Sequence, residues 1–288
     1  MPFDRLPSDW PHRGASCRID CAPHRWHAQI MGDGPTTLLL HGAGGATHSF
    51  RGLAPLLARD GRVIAVDLPG QGFTQPGALT RCGLDAMAED LARLCAAEGW
   101  RPQTLVGHSA GGALALRLAE LLPDAAPRIV GLNAALGPFE GVAGWLFPLL
   151  AKALALNPFA PSLFARMAGG EAGVRRLLES TGSAVDEQGV RLYARLIGDP
   201  KHVGGTLMMM AQWRLDELLE RLPFIHAPTL LIVGERDRAV PPAVSERAAA
   251  RMPDARLVRL PELGHLTHEE APERVAEIIR AFADETAR

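Results

Sequence analysis

A serine set between glycines two residues away on either side, in Gly107-His108-Ser109-Ala110-Gly111, leaves this chain few folds to choose from. The apolar run Gln103–Val106 leads directly into it, and an Ala/Leu-rich pattern from Ala113 to Leu122 follows. The order is strand, tight turn, helix. Such a turn lifts the serine clear of the sheet, and side chains at the flanking glycines would strike the adjoining strand and helix.

The same rhythm recurs along the chain. Thr36–Leu40, Arg62–Val66, Arg128–Leu132, Thr229–Val233 and Arg256–Leu260 are short apolar runs. Helical patterns at Leu84–Glu98, Ala243–Arg251 and Pro272–Ala283 alternate with them, the order that builds a parallel sheet covered on both faces. Segments Ser16–Ala22 and His24–Ile30 are expected to form an antiparallel hairpin at one edge. Between Leu132 and Ala227 the strands stop and broken helices take over. The expected organisation is a sheet core in residues 1–139 and 227–288, split by a helical lid in residues 140–226. Met209 and Trp213, with Trp145 and Phe147, are the apolar lid residues expected to cover a substrate; packing within a helical layer is the plainer role for each.

With 47% hydrophobic and 22% charged residues, disorder is excluded, and a net charge of −2 gives no reason to expect nucleic acid as a partner. Four cysteines at irregular spacing suggest reduced thiols, with neither a metal site nor a cofactor implied. Met1–Ile30 lacks the apolar core of a secretory signal, so the expected location is the cytoplasm. Val142–Phe164 is apolar, but Pro148, Pro158, Pro161 and Lys152 break it as a spanning helix. It reads as a lid segment, or as one that touches a membrane surface.

A hydroxyl nucleophile needs a base, and the base needs an orienting carboxylate. Asp237 follows the apolar run TLLIV and His265 follows the next one, both at carboxyl ends of expected neighbouring strands, on the rim that carries Ser109. The chain order Ser, Asp, His is complete, with Glu235 as the alternative carboxylate. Oxyanion donors are expected from the backbone N–H groups of Ala110, at the helix start, and Ala43, in the small-residue loop His41-Gly42-Ala43-Gly44-Gly45. His41 is expected to order its loop, His108 to pack in the turn, His268 to lie at the surface and Asp67 to fix a turn.

Taken with Asp67-Leu68-Pro69-Gly70-Gln71-Gly72, Gly234-Glu235-Arg236-Asp237, Gly264-His265 and Glu270-Ala271-Pro272, these motifs resemble the α/β-hydrolase superfamily. The resemblance implies an α/β fold with a mostly parallel eight-stranded sheet, Ser109 as nucleophile, His265 as base, Asp237 as its orienter, and Ala43 and Ala110 as oxyanion donors. Haloalkane dehalogenases and epoxide hydrolases of this superfamily carry Asp where Ser109 stands, which argues against those branches. Asp9-Trp10-Pro11-His12-Arg13, Arg25-Trp26-His27-Ala28-Gln29, His48-Ser49-Phe50-Arg51, Gly72-Phe73-Thr74 and Met209-Met210-Ala211-Gln212-Trp213 are similar to a narrower family, the magnesium-chelatase accessory proteins of bacteriochlorophyll biosynthesis. That likeness implies magnesium chelatase as a partner and a tetrapyrrole as a ligand.

Three functions are in competition. The first is a serine hydrolase of an ester, thioester or related acyl bond in a small hydrophobic substrate. The second is a non-hydrolytic accessory protein that binds a tetrapyrrole or assists the chelatase, with Trp145, Phe147, Phe159, Phe164 and Trp213 over a flat ligand. The third is a carbon–carbon-bond hydrolase, disfavoured because Leu266 stands where such enzymes carry Trp.

Overall fold

The computed structural model describes residues 1, 3–122, 126–137, 157 and 159–286. Eight strands form one sheet: β1 (Ser16–Cys21), β2 (His24–Met31), β3 (Thr36–Leu40), β4 (Arg62–Val66), β5 (Pro102–His108), β6 (Arg128–Leu132), β7 (Thr229–Gly234) and β8 (Ala255–Leu260). Their order across the sheet is β1-β2-β4-β3-β5-β6-β7-β8. The hairpin β1–β2 pairs antiparallel at one edge, β2 pairs antiparallel with β4, and every remaining pairing is parallel. The α/β architecture expected from the sequence is therefore present, with the edge hairpin in its expected place.

Strand periodicity divides the core. Leu38 and Leu40 of β3, with Ile64 and Val66 of β4, join one apolar cluster; Leu39, Val63 and Ala65 join the other. On the first face lie α2 (Leu84–Ala97) and α3 (Ala110–Glu120), contributing Met87, Leu91 and Leu114. On the second lie α1 (Leu53–Leu57) and the last helix, Pro272–Thr286, contributing Leu53, Leu57, Ile279 and Phe282. Central strands buried on both faces need no polar alternation, which is why Leu38–Leu40 of β3, Val63–Val66 of β4 and Leu230–Val233 of β7 read as unbroken apolar runs.

After β6 the described chain continues through α4 (Ala160–Ala168), α5 (Glu171–Ser180), α6 (Glu187–Ile197), α7 (Pro200–Gln212) and α8 (Asp216–Arg221) before β7 begins. Asp186 and Asp199 cap α6 and α7, each accepting a backbone N–H of the first turn. Helix α7 is fastened to the loops after β3 and β4: His202 Nε2 donates to Gly44 O, and its Nδ1 accepts from Gly72 N–H. Trp145, Phe147 and most of Val142–Phe164 lie outside the described residues. Among those described, no helix is long and apolar enough to cross a membrane, and all four cysteines are free thiols.

Candidate active site

The turn between β5 and α3 is as tight as the sequence demands. Ser109 has φ 53° and ψ −117°, a conformation that costs a non-glycine residue free energy, so the surroundings must hold it there. Its N–H donates to Leu132 O, and its carbonyl accepts from Gly112 N–H and Ala135 N–H, binding the turn to the ends of β6 and α3. The flanking glycines are steric requirements. A Cβ on Gly107 would lie 2.0 Å from Gly111 O, and one on Gly111 would lie 2.1 Å from Leu40 O. Helix α3 begins at Ala110, three residues before the expected Ala113, because the turn is only one residue long. The Ala110 N–H therefore belongs to the first turn of a helix, where donors have no partner four residues back.

Asp237 and His265 come from the loops that follow β7 and β8. His265 Nδ1 donates to Asp237 Oδ2 at 2.8 Å. The other carboxylate oxygen, Oδ1, accepts from Ala239 N–H and Val240 N–H, both at 2.8 Å, which fixes the carboxylate plane. Asn133, directly after β6 and in the left-handed region at φ 46°, donates from Nδ2 to Asp237 Oδ2 at 2.8 Å. Its Oδ1 accepts from Thr267 Oγ1. This clamp was missed in the sequence reading; an Asn after a strand end was its only signal. Glu235, the alternative carboxylate, instead lies near Arg259 at the surface.

The loop after β3 is held from beneath. His41 donates from Nδ1 to Gly42 O and accepts at Nε2 from Leu68 N–H, so the ring is neutral, and burial lowers its pKa. Gln71 Oε1 accepts from Gly44 N–H. Asp67 accepts from Thr47 N–H, Phe73 N–H and His27 Nδ1. Burial by itself would raise the Asp67 pKa, but His27 and these donors outweigh it and hold the carboxyl far below the usual range. Asp67 thus fixes the β4 turn against the β3 loop.

Ser109 and His265 line the same cavity, of about 520 Å³, together with Ala43, Gly44 and His108. Leu178, Ile197, Val203, Leu207 and Met210 of α5–α7 give it a mostly apolar wall. Asp237 sits behind His265 and does not line it. Met209 and Trp213, expected over a substrate, do not line it either. Met209 is turned inward, its Sδ accepting from Gln71 Nε2 and its side chain in the first core cluster, against which Trp213 also packs. Helical geometry hands the expected contact to Met210, whose side chain points about 100° away around α7.

His268, expected at the surface, is completely buried. It belongs to a polar network on the cavity wall. His268 Nε2 lies 2.6 Å from Ser49 Oγ, which donates to Glu269 Oε1 at 3.0 Å. Tyr193 Oη donates to the same oxygen at 2.7 Å, and Arg51 pairs with Glu269 Oε2. Burial raises the Glu269 pKa despite the opposing pull of Arg51, and burial drops His268 to about 3, helped by the charges of His265 and Arg51. His108 Nε2 donates to His265 O at 2.9 Å, and its ring lies between those of His265 and His268, with centroids 4.7 and 4.6 Å away. Among the described residues, no group of three His, Cys, Asp or Glu side chains is placed to hold a metal ion.

Known proteins share the fold and much of the sequence. The chain is similar to the magnesium-chelatase 30 kDa subunit of Rhodobacter capsulatus, with 47% identity over 276 residues, covering 95% of this chain and 96% of the relative. Its fold matches an epoxide hydrolase with a TM-score of 0.78 at 20% identity, over 94% of this chain and 99% of the other. It also matches a thermophilic esterase from Thermogutta terrifontis with a TM-score of 0.73 at 26% identity, over 94% and 98% of the two chains. The sequence profile described as the alpha/beta hydrolase fold covers residues 35–272, from just before β3 to the start of the last helix. That span contains Ser109, Asp237 and His265 and all the parallel strands that carry them, and the chain belongs to the alpha/beta hydrolase fold family.

Proposed function

We propose that the chain is a serine hydrolase that cleaves an ester, thioester or related acyl bond of a hydrophobic substrate. The observation that carries this reading is the meeting of Ser109 and His265 in one apolar cavity, with His265 Nδ1 committed to Asp237. Ser109 Oγ attacks the acyl carbon while its proton passes to His265 Nε2. The carbonyl oxygen gains the charge, and the N–H groups of Ala43 and Ala110 stabilise it. Collapse of the tetrahedral intermediate breaks the bond to the leaving group, which takes the proton from His265. Water then attacks the acyl-enzyme, again through His265, releasing the acid and restoring Ser109. Asp237 holds the ring in the tautomer whose Nε2 is free to accept.

Helices α4–α7 serve in this reading as the lid, the middle unit of the three-part organisation with boundaries at 140 and 226. Phe164 and Leu177 line the cavity yet are 46% and 44% exposed, which places them at its mouth. Phe159, Leu163 and Met167 are exposed beside them at four-residue spacing. That apolar face supports peripheral contact with a lipid surface through which an oily substrate arrives, and cosedimentation with liposomes at low salt tests it.

Fluorophosphonate labelling read by intact mass tests the nucleophile. The wild type is expected to gain one adduct and Ser109→Ala none; an unlabelled wild type beside a labelled control hydrolase sinks the reading. The likeness to a magnesium-chelatase subunit supports a second reading, in which the fold assists the chelatase by binding a tetrapyrrole and hydrolysis is absent. Saturable protoporphyrin binding that survives Ser109→Ala, in a protein that never labels, favours it.

A further inference from the structure

We infer that the cavity is a recognition site for uncharged ligands bearing an O–H or N–H group, and that Ser49 and Tyr193 are the specificity-determining residues that receive that group. The inference rests on the hydrolase reading for the identity of the reacting bond and on hydrogen-bond bookkeeping for everything else.

Away from Ser109 and His265, the side-chain hydrogens of six polar residues that line the cavity are already committed to the protein. Ser49 Oγ and Tyr193 Oη both donate to Glu269 Oε1. Thr181 Oγ1 donates to Leu178 O at 2.6 Å, and Thr206 Oγ1 to His202 O at 3.0 Å. His202 Nε2 donates to Gly44 O, and His108 Nε2 to His265 O. Burial keeps both of these rings neutral, so neither has a second proton to offer. What the four hydroxyls have left for a ligand is lone pairs. A hydroxyl has one hydrogen and two acceptor positions; Tyr193 has spent the hydrogen alone, and Ser49 has spent it while also accepting from His268. The hydrogens cannot swing inward cheaply, because the Glu269 side chain is buried, is paired with Arg51 and would lose its partners. No Lys or Arg side chain lines the cavity among the described residues.

Beyond the reach of the Ala43 and Ala110 N–H groups, such a wall repels a carboxylate or phosphate, which would meet lone pairs without a counter-ion. It welcomes a hydroxyl, an amide N–H or a pyrrole N–H, which supplies the hydrogen that Ser49 and Tyr193 lack. An acidic cofactor or metabolite fits only with its anionic groups left outside the mouth.

Three ligands of matched length separate the possibilities: dimethyl sebacate, monomethyl sebacate and methyl 10-hydroxydecanoate, titrated into Ser109→Ala by calorimetry at pH 7 and offered to the wild type as substrates. The anionic monoester is expected to bind at least about 100-fold more weakly than the diester. The hydroxy ester is expected to bind at least as well as the diester and to lose up to about tenfold in Tyr193→Phe, which keeps the ring but removes the oxygen. A thermal melt confirms that the variant is folded. Monoester binding within about threefold of the diester, a hydroxy ester indifferent to Tyr193→Phe, or no binding of any of the three overturns the inference. Binding that discriminates as expected while the wild type cleaves none of them overturns the hydrolase reading and leaves this one standing.

Discussion

The imidazole of His108 donates from Nε2 to the main-chain carbonyl of His265, 2.9 Å away, so the residue before the turn serine holds the loop of the candidate base. These residues are 157 positions apart in sequence. Burial pushes the His108 pKa well down, and the charges of His268 and His265 add to the effect. The ring is therefore a neutral strut that does not titrate with the site it braces.

Replacing His108 by Phe keeps the ring volume and removes the donor. Ester hydrolysis is expected to fall about tenfold in kcat, with KM little changed, because the His265 carbonyl loses its anchor. Stability should fall by about 1–2 kcal/mol. Steady-state kinetics beside a thermal melt reads both; unchanged kcat removes His108 from any positioning role.

The carboxylate behind His265 is clamped by Asn133 as well as by two backbone N–H groups. Asp237→Asn should lower kcat by about 10³- to 10⁴-fold with the fold intact, since an amide favours the wrong imidazole tautomer. Asn133→Ala should cost roughly tenfold in kcat and about 1–3 kcal/mol of stability, because Asp237 and Thr267 each lose a buried partner. Comparable rates for Asp237→Asn and the wild type would transfer the orienting role elsewhere.

Strands were legible where burial on both faces makes sequence and structure say the same thing: Thr36–Leu40, Arg62–Val66 and Arg128–Leu132 are expected and found with identical limits. The turn serine was legible because its glycines answer to local sterics. His268 was not. Its burial is created by Ser49, which is 219 residues away, and by His108, and no local pattern records such a contact. Met209 was misplaced for a related reason. An apolar run on a helix shows that something is buried, while the rotation that selects Met210 for the cavity and Met209 for Gln71 is set by packing.

His202 ties α7 to two loops only while neutral, since Nδ1 must accept from Gly72 N–H. Burial lowers its pKa from 6.5 to about 4. Between those values the unfolded chain takes up a proton that the folded one refuses, so stability is full above about pH 6.5 and falls as the pH drops toward 4. The loss amounts to about 3 kcal/mol for this residue. A series of denaturant melts from pH 7.5 to 4 should show it, and His202→Gln should be flatter over that window though less stable at pH 7.5. Equal slopes in the two proteins would show that His202 is not the titrating group.

Gly111 stands where α3 crosses the end of β3. A methyl group there would lie 2.1 Å from Leu40 O and 2.8 Å from His41 O, both backbone atoms that cannot step aside without moving the loop that carries Ala43. Gly112 is tight too, but a methyl there meets the Cβ of Ala134 at 2.5 Å, a contact outside the loop that carries Ala43 and one that a substitution can remove, as it cannot remove a strand carbonyl. Gly111→Ala should therefore lower stability by about 3 kcal/mol or more and reduce fluorophosphonate labelling in whatever fraction folds, because displacing β3 also displaces the Ala43 N–H. Gly112→Ala should be milder on both counts, and pairing it with Ala134→Gly should restore part of its loss by opening the space the new methyl needs. Melting temperature and labelling rate for the four proteins decide the matter: if Gly111→Ala melts and labels like the wild type, close approach of helix and strand is not what fixes the serine turn.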